Sequence, residues 1–244
     1  MAAFSSTLKS SWLMCLAVLV LALLAPQQSE AHMALLYPTP RGGFGTKAFD
    51  GRIHTFIGYQ GLKYPCGGYP KGPVTHFKAG DLVDVRFWTP ELKDVTKLPT
   101  KKMSQARHGG GLCEFSLSYD GGNSFNVIAS YSKTCPDAFY KWPVRIPSNV
   151  PGCNKSGKCL FSWSWTANLV PQFYHNCADV TIQATSKSTR MPTQKMQKYD
   201  FKGVKQNVVF PGDGSSHGEG KGPLANEKAA NSKQRTVQSN GRVA

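Results

Sequence analysis

The chain has 244 residues, with 29 Lys and Arg against 14 Asp and Glu, for a net charge of +15. That length holds one domain with a core of its own plus terminal extensions, and 40% hydrophobic residues is too apolar for a wholly disordered chain. The basic balance allows an acidic partner, but the export signal and cysteine usage described below argue against nucleic acid as that partner.

Lys9 precedes an almost unbroken apolar run from Trp12 to Ala25. The run has signal-peptide length and is short for a membrane span. Pro26-Gln27-Gln28 breaks it, and Ser29 and Ala31 place small residues at the third and first positions before a cut after Ala31. Residues 1–31 are therefore expected to be a signal peptide. The protein would be secreted and extracellular, with no membrane segment after cleavage. His32 would then open the mature chain. A histidine with a free α-amino group grips a metal with two atoms, the amine and the ring Nδ1, which no internal histidine can do.

Secretion makes the cysteines legible. Cys15 leaves with the leader, and Cys66, Cys113, Cys135, Cys153, Cys159 and Cys177 remain. An even set in an exported chain predicts three disulfides, with all fifteen pairings open on sequence grounds. Cys153 and Cys159 close a short loop and are the easiest local pair. That loop carries an Asn-x-Ser acceptor at Asn154, a candidate glycosylation site. A zinc site has no Cys-x-x-Cys pair to support it.

Composition shifts near Thr185. Residues 32–185 carry all six cysteines and strand-like patterning, with seventeen Lys and Arg against nine Asp and Glu. Residues 186–244 are rich in Lys, Ser, Gly and Asn, with eleven against four and no cysteine. The first stretch is predicted to be one domain. The second is predicted to be a basic, low-complexity, disordered tail, because its few large apolar residues cannot offset the entropy of ordering.

The domain reads as all-β. Val83, Val85 and Phe87 alternate with polar neighbours, as do Cys113, Phe115, Leu117 and Tyr119. Asp120-Gly121-Gly122-Asn123 is a turn leading into Phe125-Asn126-Val127-Ile128. Residues 142–146, 160–165 and 180–182 are further short strands. Period-two runs between Gly, Pro and Asn clusters predict an antiparallel β-sandwich. No long amphipathic helix is evident. Residues 37–80 and 89–111 are left as long loops with short helical turns, and loops of that length in a compact domain are usually functional.

Within that frame, His108 is the second candidate ligand. Gly109-Gly110-Gly111 leaves room around its ring and permits a tight turn into the strand at Cys113. The His32 amine, the His32 ring and the His108 ring would make a planar set of three nitrogens, which suits Cu(II). In the extended stretch 171–177, Gln172 and Tyr174 point to one side and His175 to the other. Tyr174 could then cap the metal and Gln172 could hydrogen-bond an oxygen ligand. Tyr69, Tyr140 and Trp142 are aromatic candidates either for a binding surface or for part of the core.

His32-Met33, Tyr37-Pro38, Tyr64-Pro65-Cys66, His108-Gly109-Gly110-Gly111-x-Cys113 and Tyr174-x-Asn176-Cys177 follow one another in that order after a leader. Together, over roughly 32–183, they resemble a lytic polysaccharide monooxygenase of the fungal chitin-active auxiliary activity family eleven. The resemblance implies an immunoglobulin-like or fibronectin III-like sandwich with long loops and one copper ion held by His32 and His108, with Tyr174 axial. It implies pairing of Cys66 with Cys177 and Cys113 with Cys135, which leaves Cys153 with Cys159. It also implies oxidative cleavage of an insoluble polysaccharide, chitin or a related cell-wall glucan. That reaction needs an external reductant with dioxygen or peroxide, and the enzyme would act as a monomer. The alternative is a non-catalytic copper-binding or wall-binding protein with the same ligands. One position departs from the family pattern: Gln172 stands where a glutamate is expected, as in the Gln-x-Tyr arrangement of cellulose-active relatives. A neutral amide that also donates replaces an acceptor-only carboxylate. That change bears on substrate and on the oxygen ligand, not on copper.

Overall fold

A computed structural model describes residues 33–92, 94–96, 108, 111–131, 141–167, 172–187 and 189–198, with backbone only at 141 and 142. Among the described residues, eight strands make two sheets. The smaller sheet has the order β1-β3-β6, from β1 (Ala34–Tyr37), β3 (Leu82–Trp88) and β6 (Lys141–Arg145). The larger has the order β2-β8-β7-β4-β5, from β2 (Val74–Lys78), β4 (Gly111–Ser118), β5 (Asn126–Tyr131), β7 (Leu160–Ala167) and β8 (Phe173–Gln183). Among the described residues the only helical pieces are the 3-10 turns Gly51–His54 and Tyr59–Gly61.

The period-two pattern explains the layers. Val83, Val85 and Phe87 point inward from the small sheet while Asp84 stays exposed. They meet Phe115, Leu117, Phe161, Trp163, Trp165, Tyr174, Ala178 and Val180 from the large sheet in one buried core. Alternating inner faces of two stacked sheets are the sandwich arrangement. One pair breaks the antiparallel rule: β2 runs parallel to β8, from Val74 opposite Asp179 to Lys78 opposite Gln183.

The outer face of the large sheet is covered as well. Every residue of β4 and β7 is buried, including Glu114, Ser116, Ser162 and Ser164. Two segments do the covering. The loop between β1 and β2 is tied down by the Cys66–Cys177 disulfide. It is also held by Arg41, which donates from Nε and Nη2 to the two oxygens of the buried Asp179 at 2.8 and 2.7 Å. The second segment is residues 189–198, whose Met196 joins Ile57, Cys66, Phe125, Leu160, Phe173 and Cys177 in a second buried cluster. The folded part therefore runs beyond the boundary expected at Thr185. This segment docks mainly through its backbone. The remainder of the expected disordered tail, 199–244, and the leader lie outside the described residues.

Candidate metal centre

Three of the four residues singled out for metal chemistry are described, and they come together. His108 sits just before β4 with φ +44°, a left-handed turn that lifts the chain into the strand. Gly111 follows at φ +148°, and a Cβ there would lie 2.1 Å from the Thr166 carbonyl oxygen. Only glycine permits that approach. Gln172 and Tyr174 stand on the same side at the start of β8. The Tyr174 hydroxyl donates to Gln172 Oε1 at 2.7 Å, and its oxygen is 3.5 Å from His108 Nε2. His32 lies outside the described residues, one position before the buried Met33.

Aromatic rings hold this arrangement. Trp165 is directly opposite Tyr174 in the β7–β8 register. Its ring stacks on Tyr174 with centroids 4.5 Å apart and 24° between planes, and His108 stacks on Trp165 at 5.7 Å and 20°. Phe56 meets Tyr174 edge-on at 6.3 Å. Tyr174 is fully buried as a residue, so its hydroxyl tip is the end that reaches the site. Trp165 is a site residue that its local sequence does not single out. The Trp163-Ser164-Trp165 alternation marks it as inward-facing, but only the strand register puts it under Tyr174.

Asn176 links the site to the start of the chain's first strand. Its Oδ1 accepts from the Leu35 amide at 2.8 Å, and its Nδ2 donates to the Ile53 carbonyl at 3.2 Å. The N–H on one side and the C=O on the other leave a single orientation of the amide.

The donor chemistry fits copper. Partial burial lowers the His108 pKa below its ordinary value, by desolvation of the charged form. A neutral imidazole, with a lone pair to give, is the state a metal needs. His108 Nε2 and the Tyr174 oxygen are close enough to share one ion at ordinary metal-to-nitrogen distances of about 2 Å.

Cys66, His175 and Cys177 lie together in the interior. The two sulfurs are bonded to each other and His175 Nδ1 accepts from the Cys66 amide at 3.2 Å, so no thiolate is left to bind a metal. Cys153 and Cys159 form the second disulfide. Cys113 is also disulfide-bonded, and Cys135 lies outside the described residues. Tyr69 is half-buried and packs against two glycines. Its ring is pressed against Gly42 and Gly67, where an added Cβ would meet it at 2.6 and 2.4 Å, and its hydroxyl is buried. Tyr140 and the Trp142 side chain lie outside the described residues.

No family model matches the chain. It is 32% identical over 180 residues to the AA11 family lytic polysaccharide monooxygenase A of Aspergillus fumigatus, covering 69% of this chain and 73% of that protein. It is 24% identical over 213 residues to the AA11 family lytic polysaccharide monooxygenase B of the same species, covering 80% of this chain but 45% of that longer protein. Among solved structures, it is similar to the extended catalytic domain of an H. jecorina enzyme of this kind, with a TM-score of 0.39, 13% identity, and 57% and 61% of the two chains covered. It is also similar to a CBM33 polysaccharide monooxygenase, with a TM-score of 0.38, 18% identity, and 62% and 100% covered. The identity and coverage of the first relative make this chain a member of the AA11 family of copper-dependent lytic polysaccharide monooxygenases.

Proposed function

We propose that the chain is exported, cut after Ala31, and acts outside the cell as a monomer on an insoluble polysaccharide, chitin first among the candidates. One copper ion would be held by the His32 amine, His32 Nδ1 and His108, with Tyr174 and Gln172 beside it. The observation that carries this reading is the convergence of His108 Nε2, the Tyr174 hydroxyl and Gln172 Oε1 within hydrogen-bonding reach.

Bound copper supplies one-electron exchange with an external reductant and a place to activate dioxygen or peroxide. The protein's own groups do the rest. Desolvation favours the neutral form of the His108 ring. Tyr174 turns its proton toward Gln172, which leaves its oxygen lone pairs facing His108. The Gln172 NH₂ is not used in that bond and is free in chemistry to donate to an oxygen ligand. Trp165 and Phe56 hold the Tyr174 ring, so the hydroxyl needs no reordering when substrate arrives.

The domain plan follows the same reading: a signal peptide at 1–31, a catalytic domain from His32 that includes the docked segment to Lys198, and a basic tail beyond it. That tail would aid contact with anionic wall material through salt-sensitive attraction. Asn154 is exposed on the Cys153–Cys159 loop, which supports its use as a glycosylation site. The test is copper titration of the secreted protein and of its His32→Ala and His108→Ala variants, followed by mass spectrometry of products from chitin with ascorbate. Loss of tight copper binding and of oxidised oligosaccharides in both variants is expected. Copper binding by the parent without oxidised products would favour a non-catalytic copper-binding protein.

A further inference from the structure

Glu114 is a carboxylic acid in the middle of β4, 2% exposed and outside the metal site. Its two oxygens face residues 189–198. Oε2 accepts from the Gln197 amide at 2.7 Å and Oε1 from Gln194 Nε2 at 3.4 Å. The same segment is bonded along its length to the β5 edge. Val127 N donates to Gln194 O at 2.8 Å, Met196 N to Phe125 O at 3.2 Å, and Lys195 Nζ to Asn126 Oδ1 at 2.6 Å. Between these anchors, the Met196 side chain enters the cluster that holds Ile57 and Phe173. Phe173 lies between Gln172 and Tyr174, and its carbonyl accepts from the Ile57 amide at 2.8 Å. Phe56, next to Ile57, is the ring packed edge-on against Tyr174.

We propose that residues 189–198 are a strap latched to the sheet by Glu114, and that this strap, through Met196, positions the Gln172–Tyr174 edge of the metal site. Glu114 is a positioning residue in this scheme; it touches neither metal nor substrate. The proposal rests on the site reading for what is positioned, but its readout needs no copper, so the two can fail separately.

The latch has a pH sense. Burial pushes the Glu114 carboxyl up to about 7, against the opposing bonds from Gln197 and Gln194. Releasing the strap would return the group to water and to its ordinary value of 4.5. The docked state therefore holds the proton more tightly, and docking weakens as pH rises from about 4.5 through about 7. Among the described residues, the charged groups on elements packed against Glu114 are Arg190, Lys195 and Lys198 on the strap. On β8 they are His175, which Ser164 separates from Glu114, and Asp179, which is taken by Arg41. β5 and β7 offer only neutral side chains such as Ser130 and Ser164. Lys198 lies over the Tyr64 ring at 4.7 Å and Lys195 on Asn126.

The test is amide hydrogen exchange on the full secreted chain between pH 5 and pH 8, corrected for intrinsic rates, with Phe115 in the core as reference. Protection at Met196 and Gln197 should fall on the order of tenfold or more across that range and should drag Ile57 with it. Glu114→Gln keeps the acceptor for the Gln197 amide without the charge and should abolish this pH response. Met196→Ala should lower Ile57 protection at every pH with Phe115 unchanged. An equal pH response in Glu114→Gln would overturn the latch. Unchanged Ile57 protection in Met196→Ala would overturn the positioning role.

Discussion

Asn176 and Leu35 are joined by a 2.8 Å hydrogen bond from the Leu35 amide to Asn176 Oδ1. This ties the first strand, three residues after His32, to the strand that carries Tyr174. The other end of the same amide holds Ile53. Asn176→Ala removes both bonds and leaves a buried N–H and a buried C=O unpaired, which should cost about 2 to 4 kcal/mol from two such groups. Chemical denaturation measures that loss. Copper affinity should fall with it if His32 is the ligand proposed, because the strand that begins three residues after it loses its tie to the Tyr174 strand.

Trp165 is the shared platform for His108 and Tyr174. Trp165→Leu should destabilise the core by about 2 to 4 kcal/mol and should also broaden the Cu(II) electron paramagnetic resonance signal, because His108 loses the ring it lies on. A control Trp163→Leu, equally buried but packed edge-on against Phe87 instead, should cost similar stability and leave the copper signal unchanged. The spectrum separates a site effect from a core effect.

Much of the fold is legible in the residue pattern, and the exceptions have physical causes. The strands holding Val83 to Phe87, Cys113 to Leu117 and Leu160 to Trp165 alternate cleanly because one face meets the opposite sheet. β2 escapes the pattern because its edge position buries only Phe77. β1 is four residues long, too short for periodicity to register. The strap escapes because it docks largely through backbone N–H and C=O groups and a single methionine is its buried anchor. At the site, period two puts Gln172 and Tyr174 on one side and His175 on the other, and the structure has them so. His175 lies instead among Tyr64, Phe125 and Phe173. The approach of His108 to Tyr174 depends on loop geometry and strand register, which no local pattern encodes.

Acid and base should stress different groups. Complete burial depresses the His175 pKa to about 3, so its neutral form contributes stability above about 6.5 that is lost as pH falls toward 3. Glu114 has the opposite sense, with its burial penalty growing from about 4.5 to about 7. Each contributes a slope of about 1.4 kcal/mol per pH unit within its own window. The slopes oppose each other between about 4.5 and 6.5. Thermal unfolding should therefore show a plateau there and a steep loss below pH 4.5. Glu114→Gln should convert the plateau into a continuous rise toward pH 6.5.

The Arg41–Asp179 pair is bidentate, with Asp179 buried and Arg41 largely so, their side chains 2% and 12% exposed. Asp179 also accepts from the Gly72 amide at 2.8 Å. Arg41→Ala strands a buried carboxylate and should cost about 3 to 5 kcal/mol. Limited proteolysis should then cut first in the loop between β1 and β2, which Arg41 pins to β8.

The most direct test of the copper enzyme assigned to this geometry is mass spectrometry of the products released from insoluble chitin. The copper-loaded secreted protein and its His108→Ala variant would be compared under the same reductant. Oxidised oligosaccharides from the parent and none from the variant are predicted. Oxidised products released equally well by His108→Ala would contradict it.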